Sequence, residues 1–213
     1  NDGGVTWELV LSIDEHTGAI DLAMDPNDPS TLFAAMYQRR RPGFGFNGGG
    51  PGSGIYRTMN GGDTWMELTD GLPEGDKGRI GLDVFRQDGN VVYALIEAEP
   101  RSADQGFGGG GGASESGLFR STDRGTTWEK MSDTNPRPMY YSQVRIDPSN
   151  ADRIYVLGSS LTVSAAAGRT FRSDGGPQIH VDHHDLWINP EDPDHLILGS
   201  DGGVSASWDG TDH

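Results

Sequence analysis

The sequence has no cysteine, so disulfides and thiolate metal sites are both excluded. That absence does not exclude export. Lysine is almost missing as well, with Lys77 and Lys130 the only two. Positive charge is scarce: 16 Lys and Arg stand against 32 Asp and Glu, a net charge of −16 over 213 residues. A surface this acidic repels phosphate backbones and argues against a nucleic-acid partner. No apolar run approaches the ~20 residues that a membrane-spanning helix requires. The chain starts at Asn1 without a signal peptide, and it reads as a piece of a longer protein. Its length suits one sizeable core, or several small repeated units that share one.

What is present is a repeat. Ser121-Thr-Asp123-Arg-Gly125-Thr-Thr127-Trp128 and Thr58-Met-Asn60-Gly-Gly62-Asp-Thr64-Trp65 share one frame. The frame is a hydroxyl, an acid or amide two residues on, then Gly, Thr and an aromatic. Asp2-Gly-Gly4-Val-Thr6-Trp7 matches from its second element onward, and Ser164-Ala-Ala166-Ala-Gly168-Arg-Thr170-Phe171 matches except for Ala166 in place of the acid. Repeats at this spacing point to propellers or solenoids. The chemistry suits a hairpin turn. A short acid or amide accepts N–H bonds from its own turn, Gly takes a positive φ, and the aromatic opens the next strand. Asp2, Trp7, Asn60, Trp65, Asp123 and Trp128 are therefore read as structural.

A second repeat precedes each box. Met24-Asp25-Pro26, Ile146-Asp147-Pro148 and Ile188-Asn189-Pro190 each lead into an apolar, β-rich run, and Leu82-Asp83 through Gly89 is a worn version. One unit thus holds four strands, A to D, with Asp-Pro turns between A and B and boxes between C and D. Four-stranded antiparallel units repeated radially are the blades of a β-propeller, so the predicted class is all-β. Complete blades are expected at 19–70, 78–133 and 140–176, a partial blade (a lone strand D) at 1–13, and strands A to C of another at 180–213. The whole of 1–213 is read as a single propeller segment. Its two broken ends either close a small four-bladed ring or are edges of a larger propeller, completed by blades from the same or another chain.

The quoted boxes, with "IDPSNADRIYV" and "INPEDPDHLILGSDGGV", resemble the Asp-box (BNR) repeat of sortilin/VPS10-like propellers, and bacterial exported proteins labelled glycosyl-hydrolase-like. The resemblance covers nearly the whole chain. It implies an extracytoplasmic location: secreted, periplasmic or cell-surface. It is specific for fold and weak for function, because Asp boxes occur in sialidases, xyloglucanases, sorting receptors and assembly factors alike. Ala166 and the short length depart from the family pattern. His-rich segments similar to the one here precede "LWINP"-type strands in bacterial members.

Strand alternation places the box and Asp-Pro turns on one face and the B–C and D–A loops on the other, where propellers usually bind ligands. One B–C loop carries Arg39, Arg40, Arg41, Phe44 and Phe46; the next carries Arg101, Phe107 and a run of five glycines. Such loops need no packed core. They are either plain insertions or presenters of aromatic rings and anion-binding arginines to a partner. The D–A loops hold Asp76-Lys77-Gly78-Arg79, then Arg137 with Tyr140 and Tyr141, and finally His180-Val-Asp182-His183-His184-Asp185. In extended chain His180, Asp182 and His184 share a face and could hold a divalent metal. The alternatives are a polar channel lining, in which these groups hydrogen-bond one another and the loop, and direct ligand contact through His180 and His183.

Three functions compete. A non-catalytic scaffold for a protein, peptide or glycan needs only a rigid toroid and variable loops. A glycoside hydrolase needs two carboxylates about 5–5.5 Å or about 6.5–9.5 Å apart; Asp76, Asp182 and Asp185 are the candidates, with Glu15 nearby. Tyr140, Tyr141 and Arg137 only loosely echo a sialidase. A metal-dependent hydrolase would use the His cluster. The scaffold requires the fewest assumptions.

Overall fold

A computed structural model of the chain describes residues 2–41, 43, 45–98, 115–174 and 179–211. Its regular elements are all β-strands, grouped into four sheets. Blade 1 contains β1 (Thr17–Met24), β2 (Leu32–Gln38), β3 (Gly54–Thr58) and β4 (Met66–Leu68). Blade 2 contains β5 (Lys77–Val84), β6 (Val92–Ala98), β7 (Gly117–Ser121) and β8 (Glu129–Ser132). Blade 3 contains β9 (Gln143–Asp147), β10 (Asn150–Leu157), β11 (Leu161–Ser164) and β12 (Arg172–Asp174). Blade 4 has three strands, β13 (His183–Ile188), β14 (Leu196–Ser200) and β15 (Gly203–Ser207). Within each sheet consecutive strands pair antiparallel. Residues 2–13, read from the sequence as an outer strand, carry no assigned strand.

The second strand of each complete blade explains the stacking. β2 ("LFAAMYQ") and β6 ("VYALIEA") are apolar without alternation and buried along nearly their whole length. A run of that kind must be covered on both faces. Three apolar clusters do the covering, one per junction. Phe33, Ala35, Ile55 and Leu68 of blade 1 meet Ile80, Leu82, Val92 and Phe119 of blade 2. Tyr93, Leu95 and Leu118 meet Val144, Ile154 and Val156 of blade 3. Tyr155, Leu157, Leu161 and Val163 meet Leu186, Leu196 and Leu198 of blade 4. Phe33, Ile55, Leu95 and Leu118 are fully buried, and each such side chain contributes about 1.5–3 kcal/mol. The first strands also touch in series, β1 with β5, β5 with β9 and β9 with β13, so they form the inner wall.

The box turns obey one hydrogen-bond plan. The Ser121 hydroxyl accepts from the Asp123 and Gly125 amides and donates to the Asp123 carboxylate. Asp123 then accepts from the Thr127 amide and hydroxyl. Thr58 and Asn60 repeat this toward Gly62 and Thr64. Ser164 still holds the Ala166 and Gly168 amides without an acid. Four boxes also donate one amide to the A–B turn, or to the strand just after it, in their own blade: Gly61 to Ser30, Arg124 to Asn90, Ala167 to Asp152 and Gly210 to Asp194. These bonds put the box and A–B turns on a common face.

The fourth bond belongs to a box that the sequence reading missed. Ser207 binds the Asp209 carboxylate and the Thr211 amide as Ser121 binds Asp123 and Gly125. Thr211 stands where the other boxes have glycine and carries a φ of 83°, close to the 80° of Gly125. The Ser-x-Asp start was visible, but Thr in the glycine position hid it.

Candidate functional site

On the face opposite the boxes, the ends of three segments enclose a cavity of about 320 Å³. Arg39, Arg41 and Phe46 come from the β2–β3 loop, Glu97 from the end of β6, and Arg137, Pro138, Met139 and Tyr140 from the β8–β9 loop. Aromatic rings fix two of the guanidiniums. Arg39 lies 5.4 Å from the Phe46 ring centre, and Arg137 lies 4.8 Å from Tyr140 and 5.9 Å from Tyr141. Stacking leaves the edge of a planar guanidinium free to bind carboxylate-like oxygens in pairs. Glu97 is buried and accepts the Arg79 amide. The Tyr37 hydroxyl is pushed up to about 12 by burial and by the Glu97 charge. Arg40 turns away from this group and contacts the His16 ring at 2.7 Å. Phe44, Arg101 and Phe107 lie outside the described residues.

The β8–β9 loop is wound tightly over Arg137, whose carbonyl accepts the Tyr140 and Tyr141 amides. Tyr140 is half exposed, whereas Tyr141 is buried. The Tyr141 hydroxyl is pushed up to about 12 by burial and by its bond to the Asp182 carboxylate. That bond is the largest reason why Asp182 sits below its ordinary value, and Arg137, 4.0 Å away, adds to it. The loop and the His segment are thus stitched together through Tyr141, Asp182 and Arg137.

The structure corrects the extended-chain reading of the His segment. Asp182 has a φ of 69°, which breaks the alternation on which a shared face depends. His180 turns its Nδ1 to the neighbouring Val181 carbonyl. His184 Nε2 contacts Asp201 at 2.7 Å, with Tyr141 5.4 Å from its ring. Asp182 serves Tyr141 and Arg137. Each of the three is committed elsewhere, and among the described residues no group of three His, Asp or Glu side chains is placed to hold a metal ion. His183, read as a ligand contact, is buried, and burial lowers its pKa. Its Nδ1 meets no hydrogen-bond partner among the described residues.

The carboxylates proposed for acid–base work are also separated in role. Asp76 is exposed beside β5, and Glu15 is exposed beside His16. Asp185 lies on the inner strand β13, 2.6 Å from Arg145 of β9. Two other carboxylates, passed over in the sequence, form a series with it along the inner wall. Asp21 accepts the Leu82 amide from the next blade at 2.9 Å, and Asp83 accepts the Ile146 amide from the blade after that at 2.7 Å. Each also binds the amide of its own following residue, as Asp185 does. Burial raises Asp21, and it raises Asp83 to about 6 against the pull of the Ile146 amide and Arg145. Asp21, Asp83, Arg86, Arg145 and Trp187 border an inner cavity of about 420 Å³ that all four first strands line. Only three-dimensional placement distinguishes these aspartates from the many others, so the sequence carried no signal for them.

Four sheets stacked through their first strands around one cavity can be compared with known folds. No protein-family model matches the chain. A xyloglucanase of Hypocrea jecorina (strain QM6a) is 29% identical over 131 residues, covering 55% of this chain and 15% of that protein. A GH74 enzyme of Niastella koreensis superposes on 92% of this chain and 37% of its own, with 15% identity and a TM-score of 0.53. YCF48, solved with D1 peptide bound, superposes on 92% of this chain and 53% of its own, with 14% identity and a TM-score of 0.55.

The chain is a β-propeller.

The propeller spans well under two thirds of each of these relatives. At such identities the structural likeness concerns the fold alone. Among the described residues no helix is long and apolar enough to cross a membrane.

Proposed function

We propose that this propeller is a non-catalytic binding scaffold whose ligand site lies on the face opposite the box turns. One observation carries the reading: Arg39, Arg41 and Arg137 converge with Phe46 and Tyr140 on one cavity, where three separate segments meet. Rigid aromatic and guanidinium groups are the commonest anchors of binding surfaces. The ligand class is a protein, peptide or glycan. YCF48 is a propeller solved with a peptide, which supports the choice. The repeated turns are of the Asp-box type, as in sortilin/VPS10-like proteins, and an extracytoplasmic location goes with that assignment.

The test is a binding screen of peptide and oligosaccharide arrays against the wild type and an Arg39→Ala/Arg137→Ala variant. A hit that weakens at least tenfold in the variant, with no turnover of the ligand, supports the scaffold. Hits that the variant leaves unchanged place the site elsewhere.

A glycoside hydrolase is the second reading. Two observations favour it: the 29% identity with a xyloglucanase, and the Asp83 carboxyl raised to about 6 beside the inner cavity. A carboxyl poised there can donate a proton near neutral pH. Hydrolysis of xyloglucan, abolished in Asp83→Asn and kept in Arg137→Ala, would establish it. No hydrolysis across β-glucans and sialosides would dismiss it.

A further inference from the structure

We infer that Asn47-Gly48, in the β2–β3 loop, is a site of spontaneous deamidation and isomerisation that loosens the arginine-bearing loop with age. The sequence holds two Asn-Gly pairs, Asn47-Gly48 and Asn60-Gly61. Asparagine is a thermolabile residue. Glycine after it leaves the next main-chain nitrogen unhindered and the backbone free to turn, so this dipeptide closes readily to a succinimide. The fold treats the two pairs differently.

Asn60 is held at both polar atoms of its side chain. Its Oδ1 accepts the Thr58 hydroxyl and the Thr64 amide, and its Nδ2 donates to the Thr64 hydroxyl. The Gly61 amide, which would have to attack, donates to the Ser30 carbonyl at 2.9 Å. The box thus protects its own asparagine. Asn47 has one side-chain tie among the described residues, the Gly49 amide donating to its Oδ1 at 3.4 Å. That bond folds the carboxamide back over the peptide that follows, as in an Asx turn, which is the direction in which the ring closes. Neither Asn47 Nδ2 nor the Gly48 amide has a hydrogen-bond partner among the described residues. Gly48 also resists exchange for a bulkier residue that would slow the reaction. A Cβ there would lie 2.7 Å from the Phe46 ring, which carries Arg39. The loop therefore needs at position 48 the residue that makes Asn47 reactive.

The reaction needs only water. The Gly48 nitrogen gives its proton to hydroxide and bonds to Cγ of Asn47. The bond from Cγ to Nδ2 breaks, and Nδ2 leaves as ammonia by taking a proton from water, which restores the hydroxide. Water then opens the succinimide. Opening between Cγ and the Gly48 nitrogen gives aspartate; opening at the main-chain carbonyl gives isoaspartate, whose main chain runs through Cβ and Cγ. Either product adds a negative charge to the loop that carries Arg39, Arg40 and Arg41. Isoaspartate also lengthens the main chain where Asn47 and Arg40 exchange bonds of 2.8 and 3.0 Å, and that bridge is lost. The consequence for ligand binding rests on the reading of the arginine cavity as the ligand site; the reaction itself does not.

The test is peptide mapping by mass spectrometry on protein aged in its folded state at mildly alkaline pH, beside a sample aged in denaturant. Both pairs are expected to convert in denaturant. In the folded protein Asn47 should convert at least tenfold faster than Asn60, and an isoaspartyl methyltransferase should label only the peptide that holds residue 47. Hydrogen exchange reads the loop: the Arg40 amide should exchange at least tenfold faster in the isoaspartate form than in fresh protein. Asn47→Gln aged in the same way should keep the slow exchange, because glutamine must close a larger ring. Folded protein that retains Asn47 while the denatured sample converts overturns the inference, and so does equal conversion at both pairs in the folded state. Isoaspartate at position 47 with Arg40 exchange unchanged overturns the loosening. None of these readouts uses a ligand, so a failure of the binding reading would leave them standing.

Discussion

Ser121 illustrates how a single hydroxyl sets a turn. It accepts two amides, from Asp123 and Gly125, and the Gly125 bond is buried. Ser121→Ala leaves that buried amide without an acceptor, at a cost of about 1–3 kcal/mol; chemical denaturation should show the loss with an unchanged m-value. Asp83 gives a prediction in pH. Burial raises its carboxyl to about 6, so the folded state favours the neutral form. The stabilisation is therefore present below the unfolded value near 4 and is lost as pH rises through about 6. Melting curves of wild type and Asp83→Asn should show the wild type losing ground to the variant between about pH 4 and pH 6. A constant difference across that window would mean that Asp83 ionises normally. The box residues were legible in the sequence because their roles are local, within eight residues. Asp83 was not, because its partner Ile146 lies 63 residues away.

At the scale of elements, the two repeats gave away the strands because β-rich runs and turn chemistry recur together. β2, β6 and β10 follow the Asp-Pro-type turns, and β4 and β8 follow the box aromatics. The His segment defeated the same approach. Alternation presumes extended backbone, and the left-handed Asp182 lies just before β13 begins. The arginine–aromatic cavity was half legible: the loops were placed on the correct side, but which of their residues meet depends on the winding of residues 136–142. The third box permits a gain. Ala166 sits where Asp123 sits, and Ser164 already holds the turn. Ala166→Asp adds an acceptor for the Thr170 amide and should stabilise the protein by about 0.5–2 kcal/mol. A lowered melting temperature would show that the third turn has settled into a shape that excludes the acid.

At the scale of the whole molecule, the described residues form an arc in which each blade packs on its neighbours, since the three clusters are pairwise and share no member. Stability in such an array is a sum of blade and junction contributions, and it falls toward an end that has only one junction. Among the described residues blade 2 has a cluster on both sides, and blade 4 has one, against blade 3. Native-state hydrogen exchange should accordingly be slowest in β6 and fastest in β14 and β15. Leu157 is fully buried in the junction between blades 3 and 4. Leu157→Ala removes about 2–5 kcal/mol from that junction, and the loss should appear as faster exchange in β13–β15 while β6 is nearly unchanged. Equal acceleration in every blade would mean that the arc unfolds as one unit and that its junctions are not separable.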